Sequence, residues 1–224
     1  YLRTVHSKGI SSLQLAKFLG ITQRSAWFLN HRIRQMLTIK SPELLTGIVE
    51  TDETFIGGSE SNKHFNKRNP KGVSVKSIVW GAVSRDGKVR TVVIPRVHIN
   101  TITTTVRRNV ELHSTVVSDE HHAYNMLHEM YDHRVITHNK RVYVRKEEDI
   151  SVHTNRIEGF WAILKRQING THHFVSPKHL QRYCNEISYR YNCIKMMQDE
   201  RFVAALSNCE GKLLYRILIA RNGE

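Results

Sequence analysis

This sequence of 224 residues predicts an α/β fold: a mixed sheet flanked by helices, preceded by a small helical domain. Two patterns predict it. Residues 8–37 place apolar side chains at helical spacing, and from residue 48 onward short strand-length apolar or alternating blocks are interleaved with helical stretches. A hydrophobic content of 40% is enough for the core of one medium domain plus a small one.

The first block, KGISSLQLAKFLGITQRSAWFLNHRIRQML, reads as two helices around a glycine turn. Ser11 and Gln14 make a capping box, Leu13, Ala16 and Leu19 share a stripe, Gly20 takes the turn, and Thr22 caps the second helix. In that helix Ala26, Leu29, Ile33 and Met36 recur at helical spacing, leaving Gln23, Arg24, Asn30, His31 and Arg34 on the other faces. This is the pattern of a helix-turn-helix, whose second helix enters the major groove with its early residues at the base edges. A plain helical hairpin with a solvated basic face fits the stretch equally well. Charge separates the two. With 34 Lys+Arg against 20 Asp+Glu, a formal +14, the natural partner is a polyanion bound with a steep salt dependence. Gln23, Arg24, Asn30, His31 and Arg34 are therefore expected to contact DNA. The domain is expected over residues 1–40, with its start missing because the chain opens on Tyr1.

SPELLTG, residues 41–47, supplies a proline and a glycine and reads as a linker into a second domain spanning 41–224 with C-terminal helices. IVETDETFI (48–56) alternates as a strand, and VSVKSIVWGAVS (73–84) is apolar on both faces, as a central strand is. Asp86-Gly87 predicts a two-residue hairpin turn into KVRTVVIPRV. The intervening loop GGSESNKHFNKRNPKG carries Lys63, Lys67 and Arg68, expected to meet DNA. A helix over 100–113, the strand STVVSD, the helix HHAYNMLHEMY, the strand RVITH and a helix from residue 153 follow. A last long helix starts at Ser176-Pro177 with Leu180, Tyr183, Ile187 and Tyr191 facing inward. Three antiparallel strands, then a helix, a fourth strand, a helix, a fifth strand and a helix give the order of an RNase H-like fold.

Within that order, Asp52 is mid-strand, where a buried carboxylate is expensive unless paired or metal-bound, and Glu50 and Thr54 share its face. A solvated edge strand is the ordinary alternative. Asp119 ends a strand directly before a helix, where strand tips reach the crevice of an α/β sheet, although aspartate also fills helix N-caps there. In an RNase H-like sheet the first and fourth strands are neighbours, so Asp52 and Asp119 converge. Two such carboxylates repel unless a divalent cation neutralises both.

HTNRIEGFWAILKR (153–166) then puts Asn155, Glu158 and Lys165 along one line of a helix otherwise filled by Phe160, Trp161, Ile163 and Leu164. Asn-x-x-Glu is also a capping box, with Asn155 accepting a backbone N–H and Glu158 bonding back. A ligand from this edge would complete a site for two Mg²⁺ or Mn²⁺ ions about 3.5–4 Å apart, which clamp the attacking and leaving oxygens of a phosphodiester. Lys165 is placed to hold a phosphate as a point charge, or to lie along the helix flank. Adjacent histidines diverge by about 100° on a helix, so His121-His122 and His172-His173 read as structural or phosphate-contacting, and Phe160-Trp161 as core.

These stretches together resemble the DDE-type insertion-sequence transposases of the ISXO type, related to eukaryotic Merlin elements. The likeness runs through GISSLQLAKFLGITQRSAWFLNHRIRQML, DETFIGG followed by NKH, VWGAV, SDEHHAY, HTNRIEGFWAILKR, and GTHHFVSPKHLQRY with SYRYN. It implies metal-dependent cleavage and strand transfer at element ends, with Asp52 and Asp119 as the first two catalytic aspartates. The third position falls on Glu158 or Asn155, with Lys165 downstream. Glu158 is favoured because a carboxylate binds a hard cation more strongly than an amide does. The resemblance also implies double-stranded DNA partners (terminal inverted repeats and target) and a homo-oligomer on DNA. Relatives carry an upstream cysteine-rich zinc ribbon that this sequence lacks, as in a piece of a longer chain or a remnant copy.

Two other readings stand beside a transposase: an RNase H-like nuclease that does not join strands, and an inactive or domesticated DNA-binding copy. No apolar stretch approaches the roughly eighteen residues of a membrane span, so no membrane partner is expected. Three cysteines without a C-x-x-C pair suit reduced thiols in a cytoplasm, and the resemblance implies a bacterial one, with the protein near the nucleoid.

Overall fold

The computed structural model describes residues 9–39, 42–58, 64–67, 76–136, 145–147, 150–209 and 211–220. The chain divides into two compact units, one of Glu43–Lys165 and one joining Tyr1–Pro42 to Arg166–Glu224. This differs from the expected division at residue 41, because the C-terminal helices gather with the N-terminal pair and not with the sheet.

The sheet unit opens on β1 (Ile48–Ile56), followed by β2 (Ser77–Ser84), β3 (Val89–Ile94), α3 (Ile99–Asn109) and β4 (Thr115–Asp119). A 3₁₀ helix (His122–Glu129), β5 (Asp132–Ile136), β6 (Arg145–Glu147), β7 (Ile150–Val152) and α4 (Asn155–Gln167) come next. The five-stranded order is β3-β2-β1-β4-β5, with β1–β2 and β2–β3 antiparallel and β1–β4 and β4–β5 parallel. This is the RNase H-like mixed sheet that the element order predicts. β1 is its central strand, which removes the solvated-edge alternative for Asp52.

Two local expectations are corrected, and one hairpin is added. The β2–β3 turn uses three residues, Arg85 to Gly87, closed by Ser84 N donating to Lys88 O at 2.9 Å, with Gly87 at φ +95°. Such loops take glycine at the position that turns left-handed. HHAYNMLHEMY winds as a 3₁₀ helix, its ends held by short-range bonds such as Tyr124 N to His121 O at 3.1 Å. The hairpin β6–β7 was not legible among the charged residues around it.

The two sheet faces bury different partners. On one, Val49, Trp80, Ala82 and Ile94 pack with Ile102 and Val106 of α3 and with Ala123, Tyr124 and Leu127. On the other, Val117, Ile136 and Val152 form a second cluster, and the helix α4 buries Ile157, Phe160, Trp161 and Leu164. No helix among the described residues is long and apolar enough to cross a membrane.

In the helical unit, α1 (Ser12–Leu19) and α2 (Gln23–Met36) flank Gly20, a left-handed C-cap at φ +64°. Ser11 and Gln14 make the expected capping box and Thr22 accepts from Ser25 N. α5 (Pro177–Asn192), α6 (Gln198–Ser207) and α7 (Tyr215–Ile219) complete the unit. Ser176 precedes α5 in an extended conformation, yet its side chain makes no cap bond. Leu37, Tyr189 and Ala205 form an apolar cluster here, which is why the C-terminal helices belong with the N-terminal pair.

Candidate active site

Parallel pairing sets the two aspartates. β1 and β4 pair through Glu50↔Val117, so Asp52 and Asp119, each two residues on, project from the same face of adjacent strands. α4 covers that face. Its Trp161 indole donates Nε1–H to Asp52 Oδ2 at 2.9 Å. Asp52 pairs with Gly81 across β2, and a Cβ at Gly81 would stand 2.4 Å from Trp161 Cη2 and 3.1 Å from Ile157 Cδ1. The missing side chain of Gly81 is therefore what lets Trp161 reach the strand. Gly81→Ala should cost about 1–3 kcal/mol of stability by urea denaturation, the usual range for overpacking.

Burial pushes the Asp52 carboxyl above its usual range; the Glu53 backbone N–H and Trp161 act against this, and the nearby charges of Asp119 and Glu158 add to it. Asp119 and Glu158 are thus both close enough for their charges to act on Asp52. Asp119 Oδ1 accepts the His121 backbone N–H at 3.1 Å, while the His121 ring accepts from Ala123 N at 3.2 Å and caps the 3₁₀ helix. His121 has the structural role. Glu158 is exposed, and its Oε1 accepts from Thr154 Oγ1 at 3.0 Å. Lys165 is exposed two turns along the same helix.

The capping-box reading of Asn155 is overturned. Asn155 is the exposed first residue of α4, Thr154 precedes it, and the Thr154 hydroxyl is committed to Glu158. The backbone N–H groups of Arg156 and Ile157 donate instead to Glu50 Oε2, at 2.8 and 3.2 Å.

Glu53, on the opposite face of β1, accepts the Tyr124 hydroxyl. Its pKa is pushed from the ordinary 4.5 to about 7, by burial first, against the Tyr124 hydrogen bond, with Asp52 and Asp119 raising it further. A raised carboxyl favours the fold while it is protonated, so this contribution is complete below pH 4.5 and is lost as pH rises through about 7. In EDTA, wild type should therefore lose up to about 3 kcal/mol relative to Glu53→Gln between pH 4 and pH 8. A stability difference that is flat with pH contradicts this.

The residues expected to contact DNA separate. Asn30, His31 and Arg34 are only 2%, 0% and 1% exposed. Arg34 Nε pairs with Glu186 Oε2 at 2.8 Å and its guanidinium lies 3.7 Å from the centre of the Tyr183 ring, while the His31 ring packs on Trp27, His179 and Tyr183. His31 and Arg34 face α5 and Asn30 is buried, so the expectation that they reach base edges is corrected. Gln23 and Arg24 remain exposed at the start of α2, bonded to Ser12 Oγ at 3.2 Å and the Tyr215 hydroxyl at 2.6 Å. Lys67 ends a 3₁₀ turn, Phe65–Lys67, and Lys63 and Arg68 lie outside the described residues.

Sequence reasoning missed the parts played by Glu50, Glu53, Gly81 and Trp161. A glycine inside a strand apolar on both faces was the available signal for close approach.

Comparison with solved structures finds the catalytic core domain of BIV integrase, at 14% identity over 72% of this chain and 97% of that chain, with a TM-score of 0.36. Comparison with the curated proteins finds no match. Residues 44–192, from the entry to β1 to the end of α5, match the family described as the ISXO2-like transposase domain. The chain belongs to that transposase family.

Proposed function

We propose that this protein binds the terminal inverted repeats of an insertion sequence, cleaves the DNA there and joins the freed 3′ ends to target DNA. The observation that carries the reading is the projection of Asp52 and Asp119 from one face of adjacent parallel strands, within the electrostatic reach of Glu158.

The donor set suits a hard divalent cation: three carboxylates, one of them held above its usual pKa by burial first and by the charge of the other two after it. Among the described residues no three His, Cys, Asp or Glu side chains already stand together as a metal cage. Glu158, exposed and held by one threonine hydroxyl, is the ligand free to turn in. Asp52, Asp119 and Glu158 would hold two Mg²⁺ or Mn²⁺ ions, with Asn155 the alternative to Glu158. When bound, such ions activate water or a 3′-hydroxyl and neutralise charge on the phosphodiester. The chain's own residues set the geometry. Trp161 fixes the Asp52 carboxylate, the His121 N–H orients Asp119, and Lys165 contacts a phosphate beside the cut.

Exposed Gln23 and Arg24 at the start of α2 are the helix-turn-helix contacts retained for DNA, joined by Lys63, Lys67 and Arg68. Joining two ends requires them to be held together, so a homo-oligomer forms on DNA. Its substrate places the protein at the nucleoid, in the cytoplasm.

Incubation with labelled repeat ends, a target plasmid and Mg²⁺ tests the reading. Joined product is expected. Cleavage without joining identifies a nuclease, and binding without cleavage identifies a DNA-binding copy that has lost catalysis.

A further inference from the structure

Glu50 is fully buried, although a carboxylate in an apolar interior is costly, and burial raises its pKa in spite of its partners. It lies two residues before Asp52 and on the same face of β1. Its Oε2 takes the first free N–H groups of α4, at 2.8 Å from Arg156 and 3.2 Å from Ile157. Its Oε1 stands 3.2 Å from Arg85 Nη2, near enough for charge attraction though out of hydrogen-bond line, and 3.2 Å from Nδ1 of His153, a ring that burial, Arg85 and Arg156 favour in its neutral form. Arg85 also donates to Ser151 O at 2.9 Å, and Arg156 Nη1 donates to Arg85 O at 2.8 Å. One carboxylate thus ties the central strand, the β2–β3 turn, the end of β7 and the start of α4 together.

We propose that Glu50 is a positioning residue for the metal site: it caps α4 from the strand that carries Asp52, and so fixes where Glu158 stands relative to Asp52. A helix normally finds its cap in the residue just before it. Here that residue, Thr154, spends its hydroxyl on Glu158, and the cap comes from 106 residues away. The gripped amides belong to the two residues directly before Glu158. A negative charge at a helix N-terminus is favourable in itself, but a local aspartate would supply that without burying an ion. What the long-range cap adds is a fixed distance between the first and third carboxylates of the site. The inference rests on the reading of Asp52, Asp119 and Glu158 as cation ligands.

Glu50→Gln preserves shape and can still accept both N–H groups, but removes the charge; Glu50→Asp keeps the charge and withdraws the reach. Two measurements apply. Amide hydrogen exchange of metal-free protein should show the Arg156 and Ile157 amides exchanging about tenfold faster in Glu50→Gln, since charge-assisted bonds are about twice as strong as neutral ones. Mn²⁺ titration followed by electron paramagnetic resonance should show affinity weakened about 10- to 100-fold, the usual effect of losing a group that orients metal ligands. Cleavage by the same variant should recover at high Mn²⁺, which a general loss of stability would not produce.

Faster exchange with unchanged Mn²⁺ affinity makes Glu50 a cap of the fold alone and overturns the proposal, as do unchanged values in both measurements for both variants. If Asp52→Asn leaves Mn²⁺ binding intact, the metal-site reading fails first and takes this inference with it. If Asp52→Asn abolishes binding and Glu50→Gln does not weaken it, only the inference fails.

Discussion

Asp52→Asn and Asp119→Asn should each lower DNA cleavage by about 1,000-fold, equivalent to roughly 4 kcal/mol of lost transition-state stabilisation. Duplex affinity should stay nearly unchanged, because it comes from basic groups meeting phosphates. Each substitution removes a negative ligand while preserving shape. Asp52→Asn also relieves a carboxylate that burial and neighbouring charges already disfavour, so the variant should fold at least as well as wild type without metal. Loss of activity then cannot be ascribed to unfolding. Cleavage assays with gel-shift controls check both points, and equal activity in either variant removes that residue from the mechanism.

The second large effect concerns stability. Arg34→Met should destabilise the protein by about 3–5 kcal/mol in urea, the usual cost of breaking one side of a buried ion pair. Glu186 is fully buried between Arg34 at 2.8 Å and Arg190 at 2.5 Å, and loss of Arg34 removes one of the cations that neutralise it. The network is tight enough that a Cβ at Gly9, at φ +70°, would stand 3.0 Å from Glu186 Oε1. Arg34→Lys should rescue poorly, since an ammonium lacks the planar fork that pairs with the carboxylate and stacks on Tyr183. Replacing the whole triad, Arg34→Met with Glu186→Leu and Arg190→Met, should recover much of the loss, because no buried charge is then left unpaired. Were Arg34 a base-reading residue, its replacement would change sequence preference at little cost to stability.

The sheet was legible because each strand announces itself locally. β1 alternates, β2 is apolar on both faces, and the order of strands and helices leaves few ways to pair them. Asp52 and Asp119 were legible for a related reason: once β1 and β4 are neighbours, period two fixes the face on which each points. The second helix was harder. Asn30, His31 and Arg34 are polar, and a sequence window of thirty residues does not contain Glu186 or Tyr183, the residues against which Arg34 and His31 are buried. The cap of α4 was hidden in the same way. Asn-x-x-Glu satisfies the local rule, but the carboxylate that takes the N–H groups sits on β1, 106 residues from Arg156. Local rules rank local partners, and here a distant one won because Thr154 was already committed to Glu158.

Anomalous scattering from crystals grown with Mn²⁺ tests the central claim most directly. An ion touching the carboxylates of both Asp52 and Asp119, with Glu158 turned in as the third protein ligand, is the predicted result. Anomalous peaks only elsewhere, with both aspartates bound to no ion at millimolar Mn²⁺, would contradict it.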